Sequence, residues 1–210
     1  EQVAPLHGRQ PYWIDAAQVG PVSRPRLYWT SWECPEGEFD QMEEGKGYVK
    51  VYKSKKAKIQ MDQFLDPGVQ KCGPKPFPTA VRWIGRTKPP PDPRGIDDCD
   101  PETLEKWEKS GYAMAPYQFK KELGVITPEG EERPPNADER ERMHGFKLGH
   151  TKGFSEWRRI SFIGNSFHCV VVACLLGSWA VNAGYLQVVP TVEQLWERSL
   201  AEKSGMDQAN

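Results

Sequence analysis

Cysteine, histidine, arginine and lysine are the side chains here that could attack, ligate or hold an anion, and their spacing narrows the chemistry. The five cysteines, Cys34, Cys72, Cys99, Cys169 and Cys174, form no CxxC pair and are odd in number. A disulfide framework or a zinc ribbon is therefore not expected, and a reducing compartment is the plain reading. The four histidines, His7, His144, His150 and His168, are scattered and share no metal-ligand spacing. There is no P-loop, no dinucleotide-binding GxGxxG, no GxSxG elbow and no HExxH helix. What remains is anion chemistry and one polar turn. Arg24 and Arg26 flank Pro25. Lys50, Lys53, Lys55, Lys56 and Lys58 crowd a stretch that holds no acid. Gly164, Asn165 and Ser166 stand just ahead of the most apolar run.

That run is the main anomaly of the chain. No Asp, Glu, Lys or Arg occurs between Arg159 and Glu193, although 27% of the residues are charged. A membrane span, a buried helix, or a turn and helix that close a ligand pocket would each account for it. A spanning helix needs roughly 20 predominantly apolar residues. The dense part, residues 168–181, is shorter and has polar or flexible flanks at Gly164-Asn165-Ser166 and Asn182-Ala183-Gly184. A helix buried on all sides fits better than a span. Asn165 or Ser166 would cap its start, and Gly177 or Gly184 would end it.

The elements that must position these groups are short. The 210 residues, 38% of them hydrophobic, suffice for one domain with a real core, or one with a small appendage. A net charge of −1 gives no global field toward nucleic acid or anionic lipid, so any nucleic-acid surface must be local. With 19 prolines, Pro runs at about double its ordinary ~5%, which favours loops and extended chain. Residues 26–32 read as a strand, residues 33–44 as an acidic turn, and residues 47–53 as an edge or two-sided strand. The lysines that follow read either as guards of that edge or as phosphate contacts. Residues 67–101 are proline-dominated, with one short strand at 79–84. Asp100-Pro101-Glu102 starts a helix whose narrow apolar face is Leu104 and Trp107. Asn136 with Glu139 has capping-box spacing, and that helix stops at Gly145. Thr191 with Gln194 repeats the spacing, ahead of Leu195, Trp196 and Leu200; the tail beyond Ser204 should fray. The first residue is Glu, which suggests a fragment, a processed product or a trimmed chain, and no signal peptide is visible.

Three segments, taken in order, resemble the DNA cytosine-5 methyltransferases. Ser23-Arg24-Pro25-Arg26-Leu27-Tyr28-Trp29 is similar to that family's Arg-x-Arg segment leading into a strand. Residues 136–146, with an acid six before and an Arg three before the pair Gly145-Phe146, resemble its next conserved helix. Ile163-Gly164-Asn165-Ser166-Phe167, followed by an apolar helix, resembles its last motif. The resemblance runs from about Pro11 to Leu186, in a divergent form of the kind found in protists and algae. It implies an α+β chain that is the C-terminal portion of a methyltransferase-like α/β fold. Residues 1–35 and 134–203 would then belong to the core, residues 36–133 to a variable, Pro-rich target-recognition region, and residues 204–210 to a frayed tail. Two departures stand out: Val22 replaces the family's usual Gln, and Lys147 replaces the usual Pro.

The resemblance also implies roles. Arg24 and Arg26 would hold phosphate or base oxygen as auxiliary groups; local acids at a strand start would explain them equally. Gly164, Asn165 and Ser166 would help close the S-adenosylmethionine pocket, or simply cap a helix. Lys50, Lys53, Lys55, Lys56, Lys58, Arg82 and Arg86 would face DNA, and Trp83 would stack on a base or sit in the core. The family's Gly-rich cofactor turn, Pro-Cys loop and Glu-Asn-Val strand are missing, and no Pro-Cys dipeptide exists. Cytosine methylation needs a thiolate at C6, an acid at N3 and the bound methyl donor. The chain is thus expected to be incompetent alone, with S-adenosylmethionine bound only when an N-terminal half completes it. DNA and that half are its expected partners, and the nucleus its place. The alternative is a retired methyltransferase piece serving as an accessory subunit of a larger assembly, in an organelle, with protein subunits as partners.

Overall fold

A computed structural model describes residues 9–33, 41–45, 47–53, 59–79, 99–112 and 114–206. In chain order the elements are β1 (Tyr12–Asp15), β2 (Val22–Ser23), β3 (Pro25–Tyr28), β4 (Gln41–Glu44), β5 (Val49–Tyr52), β6 (Gln70–Lys71), β7 (Phe77–Pro78), α1 (Pro101–Lys109), β8 (Val125–Ile126), β9 (Glu132–Arg133), α2 (Ala137–Met143), α3 (Glu156–Asn165), α4 (Cys169–Asn182) and α5 (Val192–Met206), with short 3₁₀ turns between them. The chain is therefore of mixed helix and strand. It divides into two compact units, residues 1–59 with 167–210, and residues 60–166. The expected boundaries after residues 35 and 133 fall inside these units.

The first unit is built on a four-stranded sheet in the order β3-β1-β5-β4. β1 runs antiparallel to β3, with Trp13 opposite Leu27, and parallel to β5, with Trp13 opposite Lys50. β4 is antiparallel to β5, with Glu43 opposite Lys50. Side chains alternate across a pleat, so Ile14 and Val51, both buried, lie on one face, and Trp13 and Lys50 on the other. Of the two alternatives for β5, an edge or a two-sided strand, the interior position removes the edge. One expectation changes here. β4 forms at the end of a stretch expected to be an acidic turn; an edge strand tolerates Glu43 and Glu44 because solvent reaches its side chains.

α4 and α5 belong to the same unit. Val170, Val171, Cys174 and Leu175 of α4, and Val192 and Trp196 of α5, are buried. The indole N–H of Trp196 donates to Val19 O at 2.7 Å. α4 is not buried on all sides as expected: Leu176 is 48% and Trp179 43% exposed. Fourteen residues of nearly uniform apolarity gave no stripe from which a solvent side could be read. Gly177 does not end the helix either. It lies within α4, and a Cβ there would meet Val189 Cγ1 at 3.1 Å, so glycine lets the following segment pack close. The helix ends at Gly184, at φ +78°, where the N–H groups of Tyr185 and Leu186 both donate to Ala180 O. By length and composition alone, the helical stretch Glu156–Asn182 could cross a membrane, yet 44% of its most apolar window is buried. It is broken at Ser166, which is extended at ψ −177°.

The second unit carries α1, α2, α3 and the three-stranded sheet β6-β8-β9. Asp100 caps α1, its carboxylate accepting the Thr103 N–H at 2.8 Å. Trp107 is buried from that helix, together with Phe64, Phe77, Val125, Ala137 and Met143. The strand expected over 79–84 lies outside the described residues beyond Thr79. Gly73 follows β6, and a Cβ there would lie 2.5 Å from Glu122 O, a backbone atom. Gly73→Ala should therefore destabilise the protein by about 1–3 kcal/mol. Urea unfolding reads this, and an unchanged midpoint would mean that the two segments separate without cost.

Candidate functional site

In the first unit the Arg24–Arg26 segment is fixed by one carboxylate. Asp15, at the end of β1, caps a 3₁₀ turn by accepting the Ala17 N–H at 3.0 Å. It also accepts the Arg24 N–H at 2.6 Å and the Ser23 hydroxyl at 3.0 Å. The Arg24 backbone is thereby pinned at the start of β3, and its side chain is 2% exposed. Burial, and then the charge of Arg26, bring the Arg24 guanidinium down to about 10, still cationic at neutral pH. Burial also pushes the Tyr28 phenol up, against the pull of Arg24 and Arg26. Arg26 is exposed, and its Nη1 donates to Pro25 O at 2.7 Å. The segment thus offers one desolvated and one solvated cation.

The lysine-rich stretch begins on the same sheet. The Lys50 ammonium stands 5.0 Å from the Trp13 ring centroid and 4.8 Å from that of Tyr52. A hydrogen bond with Tyr52 is the main cause that pushes Lys50 up. The Lys53 N–H donates to Gln18 Oε1 at 3.5 Å. Lys55, Lys56, Lys58, Arg82, Arg86 and Trp83 lie outside the described residues. Because β5 is interior, guarding a strand edge does not explain Lys50.

In the second unit the residues 136–146 contain the short helix α2, Ala137–Met143, with nearly all its charge out of water. The capping box is closed: the Glu139 N–H donates to Asn136 Oδ1 and the Asn136 N–H to Glu139 Oε2, each at 2.8 Å. Glu139 also takes a two-pronged contact from Arg133, at 2.7 and 3.1 Å, and the Asp66 N–H at 3.2 Å. Arg140 donates to Pro135 O at 2.8 Å and to Gln118 Oε1 at 3.0 Å. Burial lowers its guanidinium to about 10. Glu141 accepts the N–H groups of Gly149 and Thr151 at 2.8 and 2.7 Å, and the Thr151 hydroxyl. Arg142 donates to Phe64 O at 2.7 Å and to Asp66 Oδ1 at 2.5 Å. The cap is legible in the sequence, and this network is not. The alternating Glu-Arg-Glu-Arg signs were its one visible signal, and nothing local pointed to Asp66.

The Gly-Asn turn sits differently from expectation. Gly164 and Asn165 form the last turn of α3, and Ser166 is its C-cap. The Asn165 amide donates to Ser161 O at 2.9 Å, and the Ser166 hydroxyl to Ile163 O at 2.7 Å. These side chains close α3; they do not open α4, whose N-cap is His168 with no side-chain cap bond. The local cause is the extended backbone at Ser166, which ends one helix before the other begins.

Elsewhere in this unit a groove of about 380 Å³ is lined by Met114, Pro134, Pro135, Trp157 and Ile160, with Asn136 and Glu156 among its polar members. Gly164, Asn165 and Ser166 do not line it. Among the described residues, no group of three or more His, Cys, Asp or Glu could hold a metal. Cys72 and Cys169 are free thiols. Burial pushes Cys169 up to about 11 and Cys72 upward, so neither is an activated nucleophile at neutral pH. No protein-family model matches the chain, and no curated protein matches it.

Asp66 gives the network a pH signature. Partial burial pulls its carboxyl up. Hydrogen bonds from Arg142 and Asn136, and the charges of Arg142 and Arg133, outweigh this and hold it below the ordinary carboxylate range. A depressed folded value contributes stability above the unfolded value of roughly 3.9 and loses it as pH falls through the folded value. Urea midpoints should therefore fall as pH drops below roughly 4. Asp66→Asn should be less stable at pH 7 and show a shallower acid slope. Equal slopes in the two proteins would remove Asp66 from the account.

Proposed function

We propose that this chain is the DNA-recognising, C-terminal half of a cytosine-5 DNA methyltransferase, active only beside an N-terminal half that brings the nucleophile. The observation that carries this reading is the construction of the Arg24–Arg26 segment. Asp15 clamps the backbone so that a buried and an exposed guanidinium are held at one strand start. Cations fixed before the reaction are suited to phosphate or to the oxygen of an extruded base. The buried helix α2, with Glu139 to Arg142 each bonded, supports the reading as a rigid scaffold for a half-enzyme. In this reading the fold is the C-terminal portion of a methyltransferase-like α/β fold, and the Pro-rich stretch is its target-recognition insert.

S-adenosylmethionine enters only with the completing half. The Asn165 amide nitrogen and the Ser166 hydroxyl already bond α3, and the turn does not line the groove at Met114, Pro134 and Trp157. In this reading the polar groups of the turn are spent within α3, and an N-terminal half supplies the rest of the methyl-donor site. Arg24 and Arg26 would hold and orient DNA, and Lys50, Lys53, Lys55, Lys56 and Lys58 would track its backbone.

A second reading, an accessory subunit in a protein assembly, draws on the exposed apolar side chains Phe167, Leu176, Trp179, Tyr185, Leu186 and Val188. Mixing the chain with an N-terminal half that carries a Pro-Cys loop separates the two. The methyltransferase reading expects methyl transfer to DNA, reduced at least tenfold by Arg26→Ala with an unchanged melting temperature. Absence of both methyl transfer and methyl-donor binding would leave the accessory role. In the DNA-binding step, changing Lys53, Lys55, Lys56 and Lys58 to Glu should weaken duplex binding. It should also flatten the plot of log K against log salt by about 0.9 per lost phosphate contact. An unchanged slope would make these lysines merely solvated.

A further inference from the structure

We infer that the groove of the second unit, at Met114, Pro134 and Trp157, is a binding site for a small, uncharged aromatic compound that carries one hydrogen-bond donor. The groove belongs to the second unit alone, and its assignment does not rest on the methyltransferase reading. Its volume of about 380 Å³ falls in the range of small-molecule sites, roughly 300–1,000 Å³. Its walls are fixed. The Met114 carbonyl accepts the Trp107 indole N–H at 3.3 Å, and Arg140 donates to the Met114 sulfur at 3.2 Å. Pro134 and Pro135 restrict the chain beside them, and Ile160 is packed against Ala137 and Ile163. Met114 is held at φ +59°, a left-handed conformation that a non-glycine residue keeps only where its surroundings impose it. Such strain gathers at ligand sites.

The polar groups of the lining choose the ligand. Asn136 is spent on both sides: its Nδ2 donates to Asp66, and its Oδ1 accepts the Glu139 N–H. Arg133 is spent on Glu139 and the Pro134 carbonyl, and the Ser110 hydroxyl on Trp107 O. Glu156 differs. Its Oε1 accepts the Ala137 N–H at 2.7 Å. Its Oε2 stands 3.9 Å from Arg159 Nη1, too far for a hydrogen bond. A ligand therefore meets apolar surface and one carboxylate oxygen that can still accept. The charges at the groove are matched. Arg133 meets Glu139, and Arg159 meets Asp138 and Glu141 as well as Glu156, so neither an anion nor a cation is selected. Trp157, which is 44% exposed, and the Met114 thioether both favour an aromatic partner. A ring with an N–H or O–H fills the apolar groove and donates to Glu156.

The test uses the full chain, isotope-labelled in its methionine and isoleucine methyl groups, with indole as the probe. Indole should shift the Met114 and Ile160 methyl signals saturably, with a Kd of roughly 1 mM or tighter. Benzofuran, which has the same shape and no N–H, should bind roughly fivefold or more weakly. Glu156→Gln keeps an oxygen for the Ala137 N–H and sets an amide nitrogen in place of the other, so the preference for indole should vanish or turn toward benzofuran. The wild-type comparison of the two probes decides the matter even if that variant misfolds. No saturable shift at Met114 and Ile160, equal binding of the two probes by the wild type, or a folded Glu156→Gln protein that keeps the preference would overturn the site. Binding of tryptamine or indole-3-acetate roughly tenfold tighter than indole would make the ligand an ion and overturn the assignment. Saturation of the same methyls by a tryptophan-containing peptide but not by indole would make the groove a protein-docking surface and overturn it too.

Discussion

Four successive charged side chains, Glu139 to Arg142, are withdrawn from water, and the second unit is arranged to keep each of them bonded. Desolvating one ion costs several kcal/mol even after relaxation, and only well-placed partners offset it. The partners come from distant parts of the unit. Asp66 and the Phe64 carbonyl meet Arg142, Arg133 from β9 meets Glu139, Gln118 meets Arg140, and the turn at 149–151 meets Glu141. A seven-residue helix cannot hold itself together. It persists because its ends and sides are ligated by the chain around it. The reverse also holds, since those loops have little regular structure of their own and take their positions from the charges they neutralise.

The same dependence, on a smaller scale, organises the start of β3. One carboxylate, Asp15, accepts three hydrogen bonds and fixes the backbone from which Arg24 and Arg26 project. The two arginines then diverge in environment: the buried one has a lowered proton affinity, and the exposed one keeps its hydration. Short elements positioned by side-chain bonds, not by long hydrogen-bonded ladders, are what a chain with this much proline can build.

Local chemistry was legible in the sequence, and long-range pairing was not. The boxes at Asn136–Glu139 and Thr191–Gln194 and the Asp100 cap formed as read, because each involves atoms three residues apart. The edge strand β4 hid in an acidic run, since strand propensity is mostly a record of neighbours. The interior place of β5 followed from a parallel pairing with β1, which no local pattern announces. Asp66 lies far along the chain from Arg142, and its role depends entirely on the fold. The Gly-Asn turn was read one element too late: Asn165 and Ser166 are equally good at closing a helix and at opening one, and only the extended backbone at Ser166 decides.

The charge-free run that stood out first has a one-sided solution. α4 is apolar nearly all round, with Val170, Val171, Cys174, Leu175, Gly177 and Ser178 buried and Leu176 and Trp179 exposed. Just past its end, Tyr185 packs at 5.5 Å on Trp179, and Leu186 and Val188 add to the exposed apolar surface. Large exposed apolar side chains gathered on one side of a helix mark a surface that something covers. That is the surface a half-enzyme would offer to its other half. It is also the surface an accessory subunit would offer to an assembly, so α4 by itself does not choose between them. The choice falls to whether the exposed Arg26 takes part in methyl transfer.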